Sequence, residues 1–194
     1  MDKDLFLQQI ASMAYNVGFG AKKHFATFDI VTKVPGLIGI ISVTVGIFAL
    51  FVDSLSSKYI SATFLVFGFS TLMINLYDDK KEKYEEIGKS LTVLYNDLHT
   101  LYNKVKSSKE KNFEAEIKTL KEIEKEYYEK CITKHIIFSD WWAHYKFFWQ
   151  HQIDWVDEQK HFSFWRDKVP LSFAFTCFLV LAAGTLIAIN HYAF

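Results

Sequence analysis

The sequence predicts an all-α membrane protein: three transmembrane helices with a cytoplasmic antiparallel helical hairpin between the second and the third. Three observations carry this prediction. Charged residues are absent from windows 34–52, 59–77 and 169–194 and dense between the last two. Within the charged region, apolar residues alternate at spacings of three and four, the period of a helical seam. The chain has only two prolines, Pro35 and Pro170. Each stands at the start of an apolar run, where a first helical turn tolerates a fixed φ and a missing N–H.

Residues 1–33 read as an N-terminal amphipathic cytoplasmic segment. Asp2, Asp4, Lys22, Lys23 and Asp29 interrupt any continuous apolar core, so no cleavable signal peptide is expected. Residues 34–77 read as a transmembrane hairpin. Each uncharged window in it spans about nineteen residues, or roughly 28 Å at 1.5 Å per residue, close to the thickness of a hydrocarbon core. Three such helices are hard to enclose in a soluble chain of 194 residues. Lysines and arginines flank one side only: Lys22, Lys23 and Lys33 before the first window, Lys80, Lys81 and Lys83 after the second, Lys160, Arg166 and Lys168 before the third. The connection Asp53–Lys58 holds only Lys58. The positive-inside rule therefore puts the N-terminus and the middle region in the cytoplasm and the C-terminus outside, in a multi-pass membrane protein.

No Asp, Glu, Lys or Arg lies inside a window, which disfavours a carrier with a charged midplane site. A water path would have to use hydroxyls and glycine backbone. Gly39, Ser42 and Gly46 recur on one side of the first span, and Thr71 and Asn75 form a shorter stripe on the second. These five are the pore-lining candidates. The alternative is that they simply let helices pack closely.

Residues 78–135 read as a coiled-coil-like helical hairpin. Tyr84, Ile87, Leu91, Leu94, Leu98, Leu101 and Val105 follow an a/d pattern without a slip. They are the expected seam between copies of a homo-oligomer, since three spans are too few to enclose a path. The stretch Ser107–Asn112 breaks the pattern, and a second seam follows: Phe113, Ile117, Leu120, Ile123, Tyr127 and Cys131. The first of these helices is expected to run straight out of the second span.

Residues 136–168 read as an aromatic interfacial helix. All five tryptophans lie here, among phenylalanines, tyrosines and histidines. Such rings suit either the headgroup layer or packing against the hairpin. His144, His151 and Glu158 repeat every seven residues and would share a helical stripe, a pattern in which His and carboxylate can hold a metal. One Glu-x-x-His falls short of the set that a di-iron bundle needs, so no metal or cofactor is expected. Residues 169–194 read as the third span. The two cysteines, Cys131 and Cys177, fall in different environments and are expected to stay unpaired. There is no Gly-rich phosphate loop, nucleophile elbow or paired-Cys zinc pattern, so an enzyme is not indicated. With 22 basic and 22 acidic residues, the chain has no net field to recruit nucleic acid.

The segment AYNVGFGAKKHF ahead of the first span, a tight two-span hairpin, and the long Lys/Glu-rich helix that follows resemble the SLATT family over about Tyr15 to Cys131. These are two-span membrane domains of bacterial conflict systems, found beside nucleotide-generating or nucleotide-sensing enzymes. The resemblance implies a membrane effector in anti-phage defence that oligomerises and permeabilises the inner membrane once a nucleotide-linked partner protein signals infection. The third span departs from the two-span pattern. Two other classes stay open: a constitutive channel or scaffold subunit, and a membrane-anchored enzyme using His144, His151 and Glu158.

Overall fold

The computed structural model describes residues 2–110 and 112–192, with side chains in the last helix described up to Thr185. Helix α1 (Lys3–Phe48) is continuous from the N-terminal segment through the first apolar window. Pro35 therefore lies inside a helix and not in its first turn, which corrects the sequence expectation. The ring removes one helical hydrogen bond, but the turns on both sides hold, because packing on one side and apolar surroundings on the other favour helix regardless. A 3₁₀ turn (Asp53–Ser56) reverses the chain. Ser56 Oγ donates to the Ala49 carbonyl at 3.0 Å, and Ser57 caps the next helix through Ile60 N–H.

Helix α2 (Lys58–Asn75) returns along α1. It does not run unbroken into the next helix: a second 3₁₀ turn (Asp78–Lys80) separates it from α3 (Lys81–Ser107). Helix α4 (Glu114–Lys130) folds back beside α3, with Lys104 and Glu116 paired at 2.8 Å between them. The aromatic segment forms two short helices, α5 (Ser139–Gln150) and α6 (Asp154–Lys160), followed by a π-helical turn (Phe164–Lys168). Helix α7 (Leu171–Tyr192) starts directly after Pro170, as expected of that residue.

The first half of α1 is the centre of a helical bundle. Phe6, Ile10, Ala14, Val17 and Ala21 are all buried at helical spacing and face Leu91, Leu94, Leu98, Leu101 and Val105 of α3 in one cluster. The two helices run antiparallel: Lys3 Nζ donates to the carbonyls of Lys106 and Ser108, while Gly18 lies at Tyr95 and Phe25 at Gly88. Helices α4, α5 and α6 complete the cover, burying Phe113 and Ile123, Phe147, and Val156 respectively. The second seam thus points inward as expected.

The first seam is filled differently from the sequence expectation. Tyr84, Ile87, Leu91, Leu94, Leu98, Leu101 and Val105 are all buried, but against α1 of the same chain. They are not free to hold copies together. The physical reason is that an a/d stripe asks only for an apolar partner, and α1 provides one within the chain.

Candidate functional site

The apolar windows leave this bundle bare. The second half of α1 and the whole of α2 are long and apolar enough to cross a membrane, and almost none of their residues is buried. Helix α7 is apolar over Leu171–Thr185, a shorter stretch. Within the hairpin, α1 turns Val34, Ile38, Ser42 and Val45 toward α2, and α2 turns Ile60, Phe64, Phe67 and Thr71 toward α1, since these residues are shielded while their neighbours are exposed. Hydroxyls on α2 are satisfied within the helix: Thr71 donates to the Phe67 carbonyl at 3.1 Å, Ser70 to that of Val66 at 2.8 Å. This is the ordinary solution for a polar group that has no water to bond.

The five pore-lining candidates therefore separate. Ser42 and Thr71 lie on the facing stripes, Ser42 toward the turn and Thr71 toward the bundle. Gly39, Gly46 and Asn75 are exposed, and a Cβ added to either glycine would meet nothing within 4 Å. In a single chain they form no common lining.

Where the spans meet the bundle, a polar latch closes over the segment between α4 and α5. His24 is fully buried. Its Nε2 accepts from the Ile132 backbone N–H at 3.2 Å, which leaves Nδ1–H to donate to the Gly20 carbonyl at 2.8 Å. His135 stands edge-on to it, ring centres 4.7 Å apart, with Nδ1 3.0 Å from Thr27 Oγ1. The Thr27 hydroxyl already donates to the Lys23 carbonyl, so His135 is the donor of that pair. Tyr84 donates to the Lys134 carbonyl at 2.6 Å and Tyr77 to that of His135 at 3.3 Å. Residues of α1, of α3 and of the α2 exit thus grip one short segment. Burial lowers the pKa of both imidazoles, with Lys23 adding to it, and brings that of His135 to about 4. Both are neutral at physiological pH.

No local pattern signals this latch, because its partners lie 108 positions apart. Lone histidines in a charged region carry no pattern by which to find one another.

The aromatic segment resolves into two faces. Phe147 and Phe148 are buried against Tyr15, Phe19 and Phe162, while Trp142, Tyr145, Trp149 and Trp165 stay exposed. Trp141 reaches α7, its indole N–H donating to Ser172 Oγ at 3.0 Å. The suggested metal stripe does not exist. The helix breaks after Gln150, so His144, His151 and Glu158 are not on one face, and each has other work. His144 bonds the Asp140 carbonyl, His151 packs on Tyr95, and Glu158 takes Lys106 at 2.7 Å and the Tyr102 hydroxyl at 3.2 Å. Among the described residues no group of His, Cys, Asp or Glu is placed to hold a metal ion. Cys131 and Cys177 are both free.

A helical bundle continued by a bare apolar hairpin defines a membrane-anchored helical domain. The model of one family, SMODS and SLOG-associating 2TM effector domain 6, matches residues 1–177, and the chain belongs to that SLATT family of two-span membrane effectors. The match reaches past Cys131 through α5 and α6 into the start of α7, so the aromatic segment is part of the family domain and not an addition to it. No curated protein and no solved structure matches the chain.

Proposed function

We propose that this protein is a non-enzymatic effector that assembles through its membrane helices and permeabilises the bacterial inner membrane in anti-phage defence. In this reading the N-terminus and the bundle are cytoplasmic, α7 is a third span, and the trigger is a nucleotide-generating or nucleotide-sensing partner. The observation that carries it is the contrast along α1. One helix has the apolar face of its first half buried by its own chain and its second half uncovered except toward α2. With the α3 seam occupied internally, the surfaces left for assembly are the outer faces of the spans, including the open face at Gly39 and Gly46. Small residues there allow close approach of a neighbouring helix. A path between copies would be lined by backbone at the glycines and by apolar side chains, and would gate by wetting and dewetting.

The continuity of α1 supports a mechanism. The latch at His24 and His135 fixes α1, α3 and the α2 exit to one another, so a partner that moves the bundle moves the hairpin with it. The test is inducible expression in bacteria with propidium iodide uptake as the readout. Dye uptake by cells expressing the whole chain, absent when Gly39 and Gly46 are both replaced by Leu at equal membrane content, is expected. Uptake unaffected by those replacements would refute assembly through this face.

A further inference from the structure

Beside the latch lies a recess that the proposed function leaves unused. It is a groove of about 1610 Å³ between the foot of the membrane hairpin, α5 and the first turn of α7. Leu37, Ile38, Met73, Trp142 and Phe173 make its walls apolar, and Lys33, Lys80, Lys83, Lys134 and Lys168 line its edge. Asp29 is the one carboxylate among the lining residues, and it is already paired with Lys33 and Lys146. Lys80, Lys83, Lys134 and Lys168 join none of the ion pairs found among the described residues. Lys134 stands 5.8 Å from the Tyr77 ring centre, at the point where α2 ends.

We propose that this groove binds one anionic phospholipid, its acyl chains along Leu37, Ile38 and Met73 and its phosphate held by Lys80, Lys83 and Lys134. The inference rests on the membrane reading of α1 and α2, and not on pore formation. Three features select this occupant. The walls at Leu37, Ile38 and Met73 belong to the two helices of membrane-spanning composition, and lysines line the groove at the end where those helices meet the bundle, as in basic pockets that take lipid headgroups. The positive edge is uncompensated, so a headgroup with net negative charge is favoured over one whose phosphate carries its own cation. A second copy of the chain fits worse, because its uncharged windows bring no carboxylate to meet the lysines. The exposed rings of Trp142, Tyr145 and Trp149 beside the groove suit the same headgroup depth. A lipid seated here would touch the hairpin, α5 and α7 together, and join the third apolar helix to the rest of the molecule.

The test is native mass spectrometry of the full chain in mild detergent, with phosphatidylglycerol, phosphatidylcholine or glycerol 3-phosphate added at equal concentration. Phosphatidylglycerol should be retained about tenfold better than phosphatidylcholine, and glycerol 3-phosphate should not bind. The exposed-lysine variant K80Q/K83Q/K134Q, with helicity checked by circular dichroism, should lose that preference, and Leu37→Trp should lose both lipids by filling the groove. Equal retention of the two lipids, a preference that survives the lysine replacements, or glycerol phosphate binding as tightly as the lipid would each overturn the proposal. So would a lipid-free pair of chains, which would make the groove an interface between copies. Recovery of the chain from cells in the soluble fraction would remove the membrane reading beneath it.

Discussion

Gly18 sits at a close crossing in the bundle, and enlarging it should unfold the bundle before it affects the apolar hairpin. A Cβ at this position would lie 2.8 Å from Tyr95 Cδ2 and 2.9 Å from Phe147 Cε2, well inside contact distance. Neither ring can retreat. Tyr95 is buried with its hydroxyl donating to the Gln152 carbonyl at 2.9 Å, and Phe147 is fully buried with its ring edge-on to Tyr15 at 5.5 Å. Replacing glycine by alanine in a helix gains about 1 kcal/mol of propensity. Overpacking a filled core costs roughly 1–3 kcal/mol. With two rings displaced the cost sits at the upper end, so Gly18→Ala should be net destabilising by about 1–2 kcal/mol. For a chain of this size that is a fall in melting temperature of roughly 2–8 °C. The assay is thermal unfolding of the full chain in detergent by circular dichroism, with Gly39→Ala as the control, since a Cβ there meets nothing within 4 Å. A Gly18→Ala protein as stable as the parent would refute the close crossing of α1 with α3 and α5.

Three further outcomes follow from the same geometry. The imidazoles of buried His24 and half-buried His135 and His151 have pKa values lowered by desolvation below the unfolded value, the last two to about 4. Their contribution to stability is therefore fully present above about pH 6.5 and is lost as pH falls below it, on the order of 1–2 kcal/mol by pH 5 for each of His135 and His151; urea midpoints at pH 7.5 and 5 check this, and the loss should shrink in His135→Asn. Ser42 faces α2, so Ser42→Leu should disturb the hairpin and lose assembly before leakage; leakage abolished while cross-linked oligomers persist would instead make it a gate residue. Topology reporters placed in the turn Asp53–Ser56 should be active outside the cell and those at Ser108 inside, and the reverse pattern would invert the proposed orientation.

Much of the fold was legible, for reasons that individual residues make clear. The first two uncharged windows, the break at Ser107–Asn112 and the helix start after Pro170 are local signals, and each appears where the pattern put it. The α3 seam was legible as a seam, but not its partner, because Leu91 and Leu98 ask only for an apolar surface. That partner was hard to see in α1, whose core positions include Ala11, Ala14, Gly18 and Ala21. Small residues there permit close crossing yet give little hydrophobic contrast. The segment AYNVGFGAKKHF was one of the features behind the family resemblance, and its two glycines have a packing role: Gly18 admits Tyr95 and Phe147, and Gly20 admits Tyr127 at 3.2 Å from an added Cβ. The site was less legible. A seven-residue repeat placed His144, His151 and Glu158 together only if the helix continued, and it ends at Gln150. The latch joins residues too distant in sequence for any spacing rule.

The proposed activity is tested most directly by adding the purified full chain to phosphatidylethanolamine–phosphatidylglycerol vesicles loaded with a self-quenching dye, at increasing protein-to-lipid ratio, while cross-linking reports assembly. Release should rise steeply with the ratio, in step with the appearance of oligomers, and the Gly39→Leu/Gly46→Leu protein should insert without releasing dye. Vesicles that stay sealed at ratios where oligomers are fully formed would contradict it.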